Sequence, residues 1–400
     1  MSPPDTSFAP SENIAKLKES ATIAVSQRAK ALKAEGREII DLGAGEPDFD
    51  TPEPIRRAAQ HALDHGATRY TATEGTLALR TAIAARTTVR RGRGETITPA
   101  QVVVSNGSKQ SLFNACFCLF GPGDEVLIPT PSWTSYYEMV ALSRATAVAV
   151  MGDPNDGFRV SPASLAAHAT ERTRGVMLNT PVNPTGTVYT RSELDALLTM
   201  ARERGWWVIC DEIYLRIAFD GDATSCLDVA ESLDRVVIVD GVAKAYAMTG
   251  WRIGWTISAA PLAKAMAAFQ SHTTFNAAAV SQAGAAAALT LGEPVELAVR
   301  AMVEQFRVRR DAAMAILAEE PAMRVIPPEG AFYLFIQAPG AGSVPDAGSV
   351  FAARLLEKHN VAVVPGAAFL APDWIRVAYS TDIDQVKTAM RRIVTAFRER

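Results

Sequence analysis

The sequence predicts an α/β fold in which a mainly parallel central sheet is wrapped by helices, together with a smaller α+β domain. Three observations lead to this expectation. Short apolar segments alternate with longer helical patterns between residues 101 and 258, as is typical of a parallel sheet covered by helices. The chain has 400 residues, more than a single core usually accommodates. After about residue 295 the pattern changes to a long charged helix, short strands and a Gly/Pro-rich stretch.

The predicted strands are short, and several are apolar on both faces, as buried strands of a covered sheet are. In chain order they are QVVVS (101–105), EVLIP (125–129), ATAVAV (145–150), RGVMLN (174–179), WWVIC (206–210), RVVIVD (235–240) and GWTIS (254–258). Helical patterns such as SKQSLFNACFCLF and TRSELDALLTMARERG lie between most of them. We expect an N-terminal segment (1–52) that joins the small domain, a large domain (53–294) and a small C-terminal domain (295–400).

Composition and charge exclude several classes of protein. The formal net charge is only −3 with Lys and Arg dispersed along the chain, so neither a nucleic-acid surface nor a membrane-binding patch is expected. Cys116 and Cys118 lie in a helical pattern and Cys210 in a strand, which favours reduced core thiols over a disulfide framework or a metal site. The N-terminal stretch MSPPDTSFAPSEN has no apolar signal region. We therefore expect a cytoplasmic protein that acts on small soluble molecules without a metal.

Polar residues follow the predicted strands, where the loops of a parallel α/β fold form its site. The residues concerned are Gly107 and Ser108 in NGSKQ, Asn183 in TPVNPTG, Asp211 and Tyr214 in DEIY, Lys244 in VAKAY, and Arg252. Lys244 is the most informative of them, because it stands among small and apolar neighbours. A lysine there is costly unless it reaches solvent, pairs with an acid, or is held as a neutral amine that forms an imine.

This combination matches the needs of pyridoxal phosphate, whose aldehyde condenses with a lysine and whose ring nitrogen requires a carboxylate partner. Lys244 and Asp211 would take these roles, and Tyr214 with Asn183 would donate to the phenolic oxygen. The amides at Gly107 and Ser108, with Arg252, would hold the phosphate, and Trp133 would lie on the ring. Each residue also has a plain structural explanation: Asp211 as a helix cap, Arg252 as a surface charge, Trp133 as core, and NPTG as a turn.

The order of the motifs adds a resemblance to a known family. The segments LGAGEPDFDTP, RYTATEG, NTPVNPTG, DEIY, AKAYAMTGWRIG, GAFY, VVPGAAF and IRVAYS follow one another as in class I and II aminotransferases of PLP fold type I. The resemblance runs from about residue 20 to the end of the chain. It is closest to bacterial aspartate aminotransferases that often also use prephenate.

The resemblance implies a homodimer with both sites at the subunit interface. Tyr70 would reach the cofactor phosphate of the neighbouring subunit, the backbone of Gly45 would contact substrate, and Arg376 would clamp the α-carboxylate with both arms of its guanidinium. There is one departure from many relatives, which carry serines in an S-x-S-K motif where this chain has Gly241 and Ala243. A hydroxyl contact to the phosphate is therefore expected to be missing.

A second carboxylate on the substrate would need a cation opposite Arg376. Lys109 follows the proposed phosphate loop directly, and Lys18 and Thr22 lie in an N-terminal segment that covers the site in the related enzymes. All three residues also have a plain explanation as exposed polar side chains.

The expected reaction is ping-pong transfer of an amino group between aspartate or glutamate and a 2-oxo acid, namely oxaloacetate, 2-oxoglutarate or prephenate. An aminotransferase for aromatic or other neutral amino acids, a C–S lyase and a decarboxylase share most of the cofactor residues and stay open as alternatives. A regulator with an aminotransferase-like domain is disfavoured, because the roughly forty residues ahead of the domain are too few for a DNA-binding module.

Overall fold

A computed structural model describes residues 10–15, 17, 21–91 and 96–399, with the backbone alone for 21–23. The helices are α1 (Ala21–Ala34), α2 (Glu53–Asp64), α3 (Leu77–Arg91), α4 (Ser108–Leu119), α5 (Ser135–Leu142), α6 (Pro162–His168), α7 (Arg191–Glu203), α8 (Cys226–Val229), α9 (Ala260–Ser271), α10 (Ala279–Thr290), α11 (Glu293–Leu317), α12 (Ala347–His359) and α13 (Ile383–Arg398). The strands are β1 (Ile40–Asp41), β2 (Val102–Ser105), β3 (Glu125–Thr130), β4 (Thr146–Met151), β5 (Thr173–Asn179), β6 (Trp207–Asp211), β7 (Val236–Gly241), β8 (Gly254–Ile257), β9 (Val325–Ile326), β10 (Tyr333–Gln337), β11 (Val361–Ala362), β12 (Val364–Pro365) and β13 (Trp374–Ala378).

The central sheet has seven strands in the order β2-β8-β7-β6-β5-β3-β4. These are the strands predicted from the apolar segments, and each end lies within one residue of the prediction. The run from β7 to β4 is parallel, whereas β8 is antiparallel to both of its neighbours. A mainly parallel sheet is thereby confirmed.

The reversed strand β8 helps to gather the site residues. Because β8 opposes both β2 and β7, these two strands run in the same direction, and the register places Ser105 and Gly241 beside Gly254. The loops that follow β2 and β7 therefore lie at the same edge as the segment that precedes β8. That segment carries Arg252.

Helices cover both faces of the central sheet. Alternate residues of each strand point to opposite faces: Val176 and Leu178 of β5 join a core formed with α3, α7 and α10, whereas Met177 joins a core formed with α4, α5 and α9. The same alternation sends Cys210 and Asp211 of β6 to opposite sides. All four cysteines are free thiols, as the sequence predicts.

The C-terminal region forms a separate four-stranded antiparallel sheet in the order β12-β13-β10-β9, covered by α11, α12 and α13. The N-terminal region packs here, because β1 pairs in parallel with β11 and Arg37 donates to Asn360 and to the backbone of Leu356 and Glu357. The three-part division stays a prediction, and its boundary at 294/295 falls in the first turn of α11. No helix in the part of the chain that the structure describes is both long and apolar enough to span a membrane.

Candidate active site

A cavity of about 600 Å³ lies where the loops of the central sheet meet the C-terminal sheet. Most of the site residues predicted from the sequence line it, namely Gly45, Ser108, Lys109, Trp133, Asn183, Asp211, Tyr214, Lys244, Arg252 and Arg376. Residues spread over more than 330 positions of the chain therefore meet in one cavity. The structure thus brings these predicted residues together, while their individual roles stay predictions.

Asp211, the last residue of β6, is buried at the base of the cavity. Its carboxylate accepts a hydrogen bond from the phenol of Tyr136 at 2.7 Å and one from the amide of Ile213 at 3.2 Å. Burial raises the pKa of Asp211 to about 6, although the Tyr136 hydrogen bond, the Ile213 amide and the charge of Lys244 each act to lower it. The residues that follow form a turn, so this carboxylate does not serve as the cap of a helix there.

Lys244 is half-buried in a turn after β7, and its ammonium donates to the carbonyl of Gly45. Burial lowers the pKa of Lys244 to about 8; Glu46 raises it, while Arg376 and Arg252 lower it further. An amine with this pKa is partly neutral near physiological pH, and only a neutral amine can act as a nucleophile or a base. Its position agrees with the expectation from the sequence.

The start of α4 forms a cradle for an anion. Gly107 caps the helix with φ +85° and ψ 159°, and a Cβ at this position would lie 2.5 Å from Nη2 of Arg252. A Cβ on Gly254 would lie 2.2 Å from the amide nitrogen of Ser108. The glycines therefore keep the free amides of the helix terminus close to a guanidinium, which is the combination that phosphate prefers.

The departure at Gly241 has a steric explanation. A Cβ at Gly241 would lie 2.7 Å from the hydroxyl of Ser108 and 2.8 Å from the carbonyl of Ile253. The Ser108 hydroxyl itself donates to the carbonyl of Asp240 at 3.0 Å. The close approach of these loops leaves no room for a serine side chain at position 241.

Arg376, on β13, is buried and lines the cavity. Its two terminal nitrogens donate to Asn183 Oδ1 at 3.0 Å and to the carbonyl of Gly43 at 2.7 Å, and its guanidinium stacks over the ring of Tyr333 at 4.5 Å. Among the described residues no carboxylate pairs with it, and its Nε has no hydrogen-bond partner there. A buried guanidinium without an acid is suited to binding a carboxylate.

Lys109 and Trp133 form the wall of the cavity next to α4. The ammonium of Lys109 lies 4.7 Å from the centre of the indole ring. Desolvation by the cavity wall and the charge of Arg252 lower the pKa of Lys109. Trp133 is half-buried and lines the cavity, so it is not simply a core residue.

Two phenols in the site were not predicted from the sequence. Tyr136 donates to Asp211, and the hydroxyl of Tyr333 lies 2.7 Å from that of Tyr214. Tyr333 could have been found, because it ends the GAFY motif, whereas Tyr136 has no comparable signal in the sequence. From the N-terminal helix α1, Ser26, Gln27 and Lys30 also line the cavity.

Other predicted residues lie away from this cavity or outside the description. Tyr70 is 88% exposed and packs edge-on against Phe275 with ring centres 5.3 Å apart. Lys18 falls outside the described residues, and for Thr22 the structure describes the backbone alone, in α1. Their roles stay predictions.

Cys210, Glu212 and Cys226 form the one group of potential metal ligands found within the described ranges, with ligand atoms within 4.8 Å of one another. Both oxygens of Glu212 already accept hydrogen bonds, from the hydroxyl of Ser225 at 2.6 Å and the amide of Cys226 at 2.7 Å. The carboxylate is therefore satisfied by protein donors. The expectation that the protein needs no metal stays a prediction.

The family model for class I and II aminotransferases matches residues 37–393. The chain belongs to this family. The aspartate/prephenate aminotransferase of Cereibacter sphaeroides is 42% identical over 394 residues, which are 96% of this chain and 97% of that protein. An aspartate aminotransferase from Thermotoga maritima is 38% identical over 383 residues, 96% of this chain and 98% of that protein. The resemblance drawn from the sequence motifs is thereby confirmed.

The solved structure of the Thermus thermophilus aspartate aminotransferase with maleate superimposes on this aminotransferase with a TM-score of 0.90 and 36% identity, covering 98% of this chain and all of that one. The superposition covers nearly the whole chain, and the expectation of fold type I is confirmed.

Proposed function

We propose that this aminotransferase moves an amino group between aspartate or glutamate and a 2-oxo acid, with pyridoxal 5'-phosphate as its cofactor. Oxaloacetate, 2-oxoglutarate and prephenate are the proposed acceptors. The observation that carries the proposal is the pair of cationic side chains, Arg376 and Lys109, that line one cavity together with the low-pKa amine of Lys244. The names of the relatives support the same class of substrate, and one solved structure is that of an aspartate aminotransferase with maleate, a dicarboxylate.

The residues of the cavity fit pyridoxal phosphate. The glycines at 107 and 254 leave the helix amides open beside Arg252, where the phosphate dianion would sit. Asp211 offers the only buried carboxylate among the described residues that line the cavity, and it would hold a proton on the ring nitrogen. When bound, the cofactor supplies an aldehyde that an amine can attack and a ring that withdraws electrons.

The protein's own side chains would bind the cofactor and substrate and transfer the proton. Lys244 would hold the cofactor until an amino acid displaces it, and as a neutral amine it would then accept the proton from the substrate Cα. Tyr214 and Asn183 would donate to the phenolic oxygen of the cofactor. Trp133 would lie against the ring, and Arg376 would orient the substrate through its α-carboxylate, aided by the backbone of Gly45.

A homodimer is part of the proposal. The phenol of Tyr70 is largely exposed, and its partner Phe275 is itself 39% exposed. Both lie in loops on the protein surface. We assign Tyr70 to the cofactor phosphate of a second copy of the chain, as the family resemblance implies.

A panel of amino donors and 2-oxo acceptors tests the substrate class. Because only the distal carboxylate loses its partner, Lys109→Ala should raise KM for aspartate, glutamate and prephenate about tenfold or more, with little change for alanine or phenylalanine. Lys264→Ala is the matched control, since Lys264 is exposed on α9 and should have no effect. Lys18→Ala should impair prephenate more than oxaloacetate.

The alternatives give different results in the same panel. Equal losses for charged and apolar substrates would assign Lys109 to the cofactor. A wild-type enzyme that prefers aromatic or branched donors would contradict the dicarboxylate proposal. Elimination of a thiol from a cysteine S-conjugate, with release of pyruvate and ammonium and without amino transfer, would indicate a C–S lyase.

A further inference from the structure

A cluster of four polar side chains lies beside the turns that carry Lys244 and Tyr214, outside the set of residues lining the cavity. We call Arg86, Arg216, Tyr246 and Glu296 the Glu296 cluster. One oxygen of Glu296 accepts from Arg86 Nη2 at 3.0 Å, and the other accepts from Arg216 Nη2. Arg216 Nη1 donates to the hydroxyl of Tyr246 at 2.7 Å. One carboxylate therefore joins three elements of the fold to α11.

The Glu296 cluster is partly buried, so its ion pairs are less weakened by solvent than those at the surface. Tyr246 is buried, and the side chains of Arg216 and Glu296 are 24% and 22% exposed. Burial alone would raise the pKa of Glu296, but Arg216 and Arg86 together lower this pKa below its ordinary value. Ion pairs with partial burial and shared partners contribute more than isolated surface pairs.

The connection to the active site runs through two short turns. Arg216 follows Tyr214 by two residues, and Tyr246 follows Lys244 by two residues. Each turn is closed by a backbone hydrogen bond, from the amide of Ile217 to Tyr214 at 2.7 Å and from the amide of Ala247 to Lys244 at 3.3 Å. The turns present Tyr214 and Lys244 to the cavity and Arg216 and Tyr246 to each other.

The helix that supplies Glu296 also holds a third segment of the site. Further along α11, Arg309 donates to both oxygens of Asp48 at 2.7 and 2.8 Å. Asp48 lies three residues after Gly45, and the carbonyl of Gly45 accepts a hydrogen bond from Lys244. Helix α11 therefore contacts the site at two places: through Arg309 it binds the segment that carries Gly45, and through Glu296 it binds the turns that carry Tyr214 and Lys244.

We propose that Glu296 is a positioning residue that acts through Arg216 and Tyr246 to hold the turns bearing Tyr214 and Lys244, and thereby sets the reactivity of the Lys244 amine. The inference rests on the proposed function only for the role of Lys244 as the reactive amine. Loss of the carboxylate leaves two guanidiniums without their shared partner. The turn then loosens, water reaches the Lys244 amine, and its pKa moves back toward that of an ordinary lysine.

The test measures the amine itself and needs no cofactor. Cofactor-free protein is labelled with trinitrobenzenesulfonate across a range of pH, and the labelling rate of Lys244 is followed by peptide mass spectrometry. In Glu296→Gln we expect the pH midpoint of labelling to rise by about half a unit or more, so that the labelling rate near pH 7 falls about threefold or more. Glu296→Asp should restore part of the wild-type behaviour.

Two further variants separate positioning from general destabilisation. Glu304→Gln is the matched control, because Glu304 lies on the same helix and binds Arg307 at 2.6 Å at the exposed surface; it should leave the labelling of Lys244 unchanged. Tyr246→Phe should reproduce the shift, and combining it with Glu296→Gln should add little, since both changes act through Arg216.

A Glu296→Gln protein that is less stable to heat but labels Lys244 with the wild-type midpoint and rate would overturn the proposal. The same holds if Glu304→Gln produces an equal shift. Failure of the wild-type protein to take up pyridoxal phosphate would instead contradict the proposed function. The labelling experiment would still test the role of Glu296, because it uses cofactor-free protein.

Discussion

Replacing Gly107 by alanine tests the phosphate cradle, because the added methyl group acts on Arg252. The Cβ would lie 2.5 Å from Nη2 and 3.0 Å from Cζ of that arginine, so the guanidinium must move. The backbone at Gly107, with φ +85° and ψ 159°, is a conformation that costs a residue with a side chain about 1–3 kcal/mol. The substitution therefore combines backbone strain with displacement of a phosphate ligand.

The expected loss of cofactor affinity follows from the contact that is displaced. A hydrogen bond to a charged group contributes about 1.5–3 kcal/mol, and each 1.4 kcal/mol is about a factor of ten in affinity. We therefore expect Gly107→Ala to weaken pyridoxal phosphate binding about 10-fold to 100-fold. The assay is an absorbance titration of cofactor-free protein with pyridoxal phosphate.

Gly123 provides the control for strain alone. It also has a positive φ, of +90°, but a Cβ there meets nothing within 4 Å. Gly123→Ala should lower thermal stability without changing cofactor affinity. In an Arg252→Ala background, Gly107→Ala should cause no further loss of affinity. The reasoning is refuted if Gly107→Ala binds the cofactor as tightly as Gly123→Ala, or if its effect persists without Arg252.

Two further predictions concern pH. The pKa of Lys244 is lowered to about 8, so the rate at which cofactor-free enzyme takes up pyridoxal phosphate should rise with pH up to about 8 and level off above it; a midpoint near 10.5 in stopped-flow absorbance would contradict this. Tyr136→Phe removes a hydrogen bond that lowers the Asp211 pKa, so the acidic limb of the pH–rate profile should move up by about one unit or more. Tyr137→Phe, whose hydroxyl contacts Ser132 and Thr130 instead, should leave that limb in place.

The sequence predicted the strands and the residues at their ends because both signals are local. An apolar run followed by a polar residue is visible in the linear order, as for WWVIC before Asp211 and RVVIVD before Lys244. The direction of β8 was not accessible in this way, since an apolar run looks the same in either direction. The sequence therefore proposed Arg252 as a phosphate partner without showing that the reversal of β8 brings it to the edge where the loops after β2 and β7 lie.

The phenols were missed because their contacts join distant parts of the chain. Tyr136 and Asp211 are 75 residues apart, and Tyr214 and Tyr333 are 119 apart. Nothing in the local pattern around Tyr136 distinguishes it from a core aromatic residue. The steric reason for Gly241 was likewise hidden, because it depends on the position of Ser108 in space.

Borohydride trapping tests most directly the claim that Lys244 carries the cofactor of an aminotransferase. The enzyme is mixed with pyridoxal phosphate, reduced with borohydride, digested and examined by mass spectrometry, with and without prior addition of glutamate. We predict that the label is found on Lys244, that glutamate added before reduction removes most of it, and that Lys244→Ala takes up none at the site. A label on Lys109 or spread over surface lysines, or a Lys244 label that glutamate leaves unchanged, would contradict the assignment.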